Sequence, residues 1–290
     1  MPLNYKGFTY AILAYLLWGL SPLYFHAIAM ANTTEIMVNR IVWSFVFMFF
    51  LLVLRKRNLN TIIKQKKTII LLTLSSILIA INWSLFIWAV NYGYILEASL
   101  GYFINPLVNV LLGVFFLQEK LNKKQWLAIF FTVCGIFIPL VQLGELPFIS
   151  LGLAVSFGFY GLLRKKVAVN ADTGLFVETF ILLPFILFYI GFNFHSFAAD
   201  LSNNSIHLNV LLMLAGVVTC VPLLFFSAAA TKIPLYLLGV LQYIAPSLMF
   251  IIALFIFDEA FTLAKGIAFG FIWLALIIFA ADLVKKNSQI

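Results

Sequence analysis

The chain has 290 residues, of which 64% are hydrophobic and only 10% are charged, and its formal net charge is +8. Soluble globular domains carry about 25% charged residues, so this composition excludes a soluble domain and indicates a protein solvated by lipid. The positive charges lie in short clusters between apolar runs, which is typical of membrane topology. We therefore expect the lipid bilayer, and not nucleic acid, as the partner of these charges.

Ten apolar runs follow one another with short breaks. A helix of about 20 residues spans a hydrocarbon core of about 30 Å, so each run is a candidate transmembrane helix. In chain order the predicted spans are 7–29, 35–54, 69–90, 94–117, 125–142, 147–163, 175–192, 208–230, 234–257 and 262–283. No small-residue cleavage site follows the first run, so we interpret it as a retained helix and not as a signal peptide. The sequence thus predicts an all-α integral membrane protein.

The positions of Lys and Arg predict the direction of each span. If the N-terminus is cytoplasmic, nearly all of the 18 Lys and Arg residues fall in segments on the cytoplasmic side, with the largest clusters near 55–67 and 164–166. Lys265 falls on the outer side, at the start of the tenth span, and Arg40 falls within the second span. Cytoplasmic loops of membrane proteins carry an excess of positive charge. We therefore expect a multi-pass protein of the cell membrane with both termini in the cytoplasm.

The two halves of the chain resemble each other. A shift of 140 residues places Tyr102-Phe-Ile-Asn-Pro106 on Gln242-Tyr-Ile-Ala-Pro246 and Glu119 on Glu259. Because each copy contains five helices, the second copy enters the membrane from the opposite side, and the repeats are inverted. The predicted repeats are residues 1–143 and 144–290, which together form one transport domain. Inverted repeats place a solute site near the midplane and support alternating access to it.

Three charged residues in the predicted spans require an explanation, because charge inside lipid is costly. Arg40 lies roughly 8 Å below the outer edge of the second span. It is a snorkelling side chain, an anion- or dipole-binding group, or the partner of Glu97, which begins the fourth span on the same side. Glu97 is equally consistent with a solvated first-turn acid favoured by the helix dipole. Glu178, in the first turn of the seventh span, either titrates during transport or is an ordinary N-terminal acid.

Polar residues recur on matching helices of the two halves, which favours a shared cavity. Glu97, Gly101 and Asn105 follow one another every four residues in the fourth span, and a similar face occurs in the ninth. Taken singly, such residues more often hold helices together than contact a ligand. The candidate cavity residues are Asn39, Arg40, Trp43, Asn82, Trp83, Glu97, Tyr102, Asn105, Glu178, Tyr236, Gln242 and Tyr243. The predicted helix kinks are at Pro22, Pro106 and Pro246.

Several stretches carry a family resemblance that covers nearly the whole chain. The most specific is 97–107 (EASLGYFINPL), together with 14–24 (AYLLWGLSPLY) and 241–246 (LQYIAP). They resemble the RarD branch of the EamA family in the drug/metabolite transporter superfamily. The resemblance implies a ten-helix exporter in which helices one to four and six to nine surround a central cavity and helices five and ten are supporting. Asn39 departs from it, because many relatives carry His before the Arg, which argues against a proton relay at this position.

These patterns predict a secondary transporter, most simply an exporter, that moves small organic metabolites or drugs. The alternatives are a channel or a structural membrane protein. An intramembrane enzyme is disfavoured because the three histidines, His26, His195 and His207, lie near or beyond the outer ends of spans. Cys134 and Cys220 lie in apolar runs without a second ligand at metal spacing, so we expect neither a metal nor a cofactor. The expected partner is a small-molecule solute.

Overall fold

A computed structural model describes residues 4–31, 33–57, 65–144, 146–167, 169–192, 204–258 and 261–287. Within these residues the chain forms helices and no strand. Ten stretches are long and apolar enough to cross a membrane, which confirms the predicted number of spans. The helices are α1 Tyr5–Ala27, α2 Thr33–Leu54, α3 Lys66–Asn91, α4 Ile95–Leu117, α5 Lys123–Leu143, α6 Phe148–Lys166, α7 Ala171–Phe192, α8 Ile206–Ala230, α9 Leu235–Leu241, α10 Ile244–Phe255 and α11 Leu263–Asn287.

The ninth span is broken, because α9 ends at Leu241 and α10 begins at Ile244. Pro246 has no N–H to donate to the Gln242 carbonyl four residues earlier, and that carbonyl instead accepts the N–H of Ala245 at 3.1 Å. The kink predicted at Pro246 therefore coincides with a break in the helix.

The other two predicted kinks lie inside continuous helices. Pro22 lies within α1 and Pro106 within α4, and neither helix is interrupted there. Pro22 frees the carbonyl of Trp18, which accepts a hydrogen bond from the hydroxyl of Ser21 at 2.6 Å. A side chain thus satisfies the backbone group that the proline leaves without an N–H partner.

The helices pack in a pattern that is repeated after five spans. The α5–α11, α4–α9 and α2–α7 pairs each join a span to its counterpart in the other half. In the same way, α1 packs against α8 and α10, and α6 packs against α3 and α4. The counterparts of α2 and α8 in the other half are α7 and α3, so the α2–α8 and α3–α7 pairs are equivalent. Nevertheless α2 and α8 pack far more extensively than α3 and α7. The same pairs of helices are in contact in both halves, but equivalent pairs do not pack to the same extent.

A cluster of aromatic side chains fills the space between α1, α6 and α8. It contains Tyr15, Trp18, Phe157, Tyr160 and Phe226, and its ring centroids are separated by 5.3 Å for Phe157–Phe226 and 6.4 Å for Tyr15–Phe226. Tyr15, Tyr160 and Phe226 are fully buried. On the outside of the bundle, large apolar side chains are exposed, as a lipid-facing surface requires.

Candidate functional site

A cavity of about 1100 Å³ opens at one end of the bundle. Phe47 and Leu51 of α2 face Val221, Leu224 and Ala228 of α8 across it. Its mouth carries the basic residues Arg55, Lys56, Arg57, Lys165, Lys166 and Lys232. We call this end of the bundle the basic end. At the basic end the cavity therefore separates α2 from α8, and the charged residues at its entrance are cationic except for Asp172, which pairs with Arg55 and Arg57.

Away from the basic end, α2 and α8 are in direct contact at Gly216. A Cβ atom at Gly216 would collide with the backbone of Trp43 and Ser44, so only glycine permits this approach. The Ser44 hydroxyl donates to the Gly216 carbonyl at 3.4 Å, and the Cys220 thiol lies 3.7 Å from the Ser44 carbonyl oxygen. Closer to the same end, the Tyr24 hydroxyl donates to the carbonyl of Leu211 at 2.6 Å and joins α1 to α8. The α2–α8 interface is thus closed at one end and open at the other.

Arg40 lies in this closed half and points into the bundle. Its Nε donates to the Thr219 hydroxyl of α8 at 3.0 Å, and its Nη1 lies 3.5 Å from the sulfur of Met37. The guanidinium also lies over the rings of Phe25 in α1, at 5.6 Å, and Trp83 in α3, at 5.1 Å. Contacts with α1, α3 and α8 hold the side chain among helices, so it does not snorkel to the membrane surface.

Glu97 does not pair with Arg40 in this structure. One of its carboxylate oxygens accepts the N–H of Ile149 at 3.2 Å, and its carbonyl accepts the hydroxyl of Ser150 at 2.6 Å. A carboxylate at the first turn of a helix satisfies free N–H groups and interacts favourably with the helix dipole. Glu97 therefore stabilises the start of α6, which is a different role from either sequence-based interpretation.

Glu178 forms a fully buried ion pair with Arg164. Arg164 Nη1 lies 3.2 Å from the carboxylate, and the two side chains are 1% and 2% exposed. The carboxylate also accepts hydrogen bonds from Ser75 at 2.5 Å and Tyr160 at 3.2 Å, while Arg164 Nε donates to Ser227 at 3.1 Å. One cluster therefore joins α3, α6, α7 and α8.

Arg164 is the functional candidate that the sequence did not reveal. In the sequence it stands beside Lys165 and Lys166, which predicts a topological charge at the end of a span. In the structure α6 extends to Lys166, which carries Arg164 into the bundle, whereas Lys166 is exposed. Arg164 is the one arginine among these three cations, a residue type that suits buried ion pairs, but the spacing alone does not show which of them is buried. The packing of α6 against α7 and α8 decides it.

A cluster of amides lies where α4 crosses the ninth span. Asn105 Oδ1 accepts from Gln242 Nε2 at 2.5 Å, and Asn109 Nδ2 donates to Gln242 Oε1 at 2.8 Å. Asn105 also donates to the Ala154 carbonyl at 2.7 Å, and the Tyr243 hydroxyl donates to the Phe103 carbonyl at 2.9 Å. The Oδ1 atom of Asn109 is buried and has no hydrogen-bond partner. Three of the predicted residues thus meet at the contact between equivalent helices.

Gln242→Ala is expected to lower the free energy of unfolding by about 1–3 kcal/mol, because it leaves the buried Asn105 Oδ1 and Asn109 Nδ2 with only their long mutual contact of 3.4 Å. Thermal unfolding in detergent measures the effect. The control is Ser247→Ala, which removes the hydroxyl that accepts from the exposed Trp273 indole at 3.0 Å. Equal stabilities of the two variants would contradict this role for the amide cluster.

The remaining predicted residues serve mainly to hold helices in place. Asn39 Oδ1 accepts from the Trp43 indole on the same helix at 3.2 Å. Asn82 donates to the Leu153 carbonyl at 2.8 Å and so ties α3 to α6. Tyr102 is 46% exposed and makes an edge contact with Phe86. The Tyr236 N–H donates to the Glu119 carboxylate at 2.9 Å. Of the twelve candidates, Arg40 and Trp83 are the pair least explained by helix packing.

Glu119 and Lys165 fix the start of the broken ninth span. Glu119 accepts the N–H groups of Leu235 at 2.8 Å and Tyr236 at 2.9 Å, the first two residues of α9. Lys165 donates to the carbonyls of Ala230 at 3.2 Å and Ile233 at 2.5 Å. Glu259, the predicted counterpart of Glu119, lies outside the described residues.

Ten spans in this packing, with a solvent-open cavity between helices and polar clusters inside the bundle, define the class of multi-pass membrane transporters. Comparison with known proteins agrees with this class. The profile of the EamA-like transporter family matches residues 5–141. Protein RarD of Salmonella typhi is 48% identical over 98% of this chain and 97% of its own length. An uncharacterized transporter of Vibrio cholerae is 46% identical over 97% of this chain and 94% of its own.

A solved crystal structure superposes on 95% of this chain and 96% of its own with a TM-score of 0.73, at 17% identity, and it supports the fold alone. The chain therefore belongs to the EamA family, in its RarD branch, as the sequence motifs indicated. It is a membrane transporter.

Proposed function

We propose that the protein is a secondary transporter that exports small organic solutes by alternating access between its two inverted repeats. The observation that carries the proposal is the unequal packing of equivalent helices, since α2–α8 is extensive and α3–α7 is sparse. If the two repeats exchange these packing modes, the result is the same molecule facing the other side of the membrane. In each state of such an exchange, one helix pair packs closely and its equivalent pair in the other repeat packs loosely.

The basic end supports the proposed export. Positive charge is retained on the cytoplasmic side of membrane proteins, and on this rule the basic end faces the cytoplasm of a cell membrane. The cavity opens there, while Gly216 and Tyr24 hold α8 against α2 and α1 at the other end. This conformer therefore faces inward, in the state that an exporter needs to collect its solute.

The channel alternative is weaker. A channel in its conducting state has a continuous aqueous path, whereas the buried rings of Tyr15, Tyr160 and Phe226 fill the space between α1, α6 and α8. Saturable solute flux in liposomes supports the transporter, and single-channel conductance without saturation supports the channel.

A reversible crosslink between α2 and α8 tests alternating access. In a background with Cys134→Ser, Ser44→Cys places a second thiol close to the native Cys220. A thermal-shift screen of metabolites and antibiotics first supplies a solute, because binding stabilises the folded state by mass action. We expect oxidation to abolish flux of that solute in proteoliposomes and a reductant to restore it.

The matched control is Ser44→Ala in the same background, in which oxidation is expected to leave the flux unchanged. Mass spectrometry verifies that the disulfide has formed. Full flux through the crosslinked protein would show that α2 and α8 need not separate, and would overturn the proposal.

A further inference from the structure

Residues of opposite charge occupy the same helical position in the second and seventh spans, counted from the first residue of each helix. Arg40 is the eighth residue of α2, which begins at Thr33, and Glu178 is the eighth residue of α7, which begins at Ala171. Because these spans are counterparts in the two halves, the two charges lie at similar depths from opposite ends of the bundle.

The surroundings of the two residues are also equivalent. Arg40 bonds to a hydroxyl of the eighth span, Thr219, and Glu178 bonds to a hydroxyl of the third span, Ser75. Arg40 contacts the first span at Phe25, and Glu178 contacts the sixth at Tyr160. The third and eighth spans are counterparts, as are the first and sixth, so the two sites are built from corresponding helices.

The sites differ in one respect, which is the counter-ion. Glu178 has Arg164 at 3.2 Å. Within the part of the chain that the structure describes, no carboxylate lies within 4.0 Å of the Arg40 guanidinium. A charge among membrane-spanning helices costs several kcal/mol unless it is compensated. Arg40 therefore has the environment of one member of an ion pair without the other member.

We infer that Arg40 binds the anionic group of the transported solute, and that the substrates are organic anions, carboxylates joined to a flat apolar group. This inference rests on the proposed transport function and names its substrate class. A guanidinium binds a carboxylate through paired N–H groups, and only Nε and Nη1 of Arg40 have hydrogen-bond partners among the described residues. The rings of Phe25 and Trp83 beside the guanidinium provide an apolar surface for the rest of the solute.

The cationic rim of the cavity is consistent with this class of substrate. Six Lys and Arg residues line the entrance against one described carboxylate, Asp172, which pairs with Arg55 at 2.9 Å and Arg57 at 3.0 Å. Lys165 is paired with Glu119 at 3.7 Å. The remaining excess of positive charge raises the local concentration of anions. On α8, the cavity-lining residue Val221 lies about 3 Å along the helix axis from Thr219, which holds Arg40. An anion collected at the basic end would thus approach the level of Arg40 before the outer half opens.

Thermal unfolding of the purified protein with matched acids and amides tests the inference. The probes are benzoate, phenylacetate and indole-3-carboxylate, each compared with its carboxamide, which has the same shape without the charge. We expect at least one acid to raise the Tm of the wild-type protein in a saturable manner and its amide to leave the Tm unchanged. Arg40→Gln should weaken the apparent affinity for that acid at least about tenfold.

Lys124→Gln is the charge control, because Lys124 is exposed on α5 and is not among the residues that line the cavity, and it should retain the full shift. Arg40→Lys keeps the charge without the planar fork and should retain part of it. If Arg40→Gln does not fold, Arg40→Lys and the comparison of acid with amide in the wild type decide the question. No shift with any acid, equal shifts with acid and amide, or an undiminished shift in Arg40→Gln would each overturn the inference.

A lipid headgroup offers the same anionic chemistry and has its own arm in the experiment. Phosphatidylglycerol added to protein in neutral detergent should not compete with the acids; displacement of the acid shift by this lipid would assign Arg40 to lipid binding. The crosslink between α2 and α8 needs no anion. A neutral solute whose flux is blocked by that crosslink would overturn the anion site and leave alternating access intact.

Discussion

Arg164→Met is expected to lower the free energy of unfolding by about 3–5 kcal/mol, because it leaves the buried carboxylate of Glu178 without its counter-ion. The substitution also removes the hydrogen bond to Ser227 at 3.1 Å, which joins α6 to α8. Water cannot replace either contact, since both side chains are almost fully buried. Thermal unfolding in detergent should therefore show a large decrease in Tm.

The double variant Arg164→Met/Glu178→Leu separates lost charge compensation from lost packing. Replacing both members of a buried pair with apolar residues is often close to neutral, so the double variant should be more stable than Arg164→Met alone. Lys166→Met, two residues further on and exposed, should leave stability unchanged. If the double variant is no more stable than the single one, the ion pair is not the reason for the loss.

Gly216→Ala is expected to reduce solute flux by at least about fivefold, because the new Cβ hinders the closing of α2 against α8. It would collide with backbone atoms of Trp43 and Ser44, which cannot rotate away as a side chain can. Overpacking of this kind costs about 1–3 kcal/mol, which is a factor of about 5 to 150 in the population of the closed state. Flux measurements in proteoliposomes at equal protein content check the effect.

Gly270→Ala is the matched control, because a Cβ at Gly270 in α11 meets no atom within 4 Å. It should transport at the wild-type rate, and both variants should be recovered in the membrane. Wild-type flux in Gly216→Ala would mean that transport does not require the close approach of α2 to α8.

The sequence was sufficient for the number of spans because lipid imposes a length and an apolar composition on every crossing helix. It was not sufficient for the shape of those helices. Pro106 and Pro246 occupy matching positions, yet α4 is continuous and the ninth span is broken. The difference arises from the neighbouring helices, because Asn105 and Asn109 of α4 bond to Gln242 at the break.

The charged residues show the same limit. Arg40 stands alone in an apolar run and was therefore identified from the sequence, although its direction depended on Thr219 and Trp83 in distant helices. Arg164 was hidden among basic neighbours, since a run of cations has the same sequence whether one member is buried or none is. Glu97 was expected at a cavity or in solvent, and instead it caps α6, a contact between residues more than fifty positions apart.

The distance across the mouth of the cavity tests alternating access most directly. Spin labels at Lys56→Cys and Lys232→Cys, both exposed on the rim, report the separation of α2 from α8 in a background with Cys134→Ser and Cys220→Ser. Alternating access predicts two distance populations, a longer one for the open cavity and a shorter one for the closed cavity, whose ratio changes when a transported solute is added. A single distance that is the same with and without solute would contradict it.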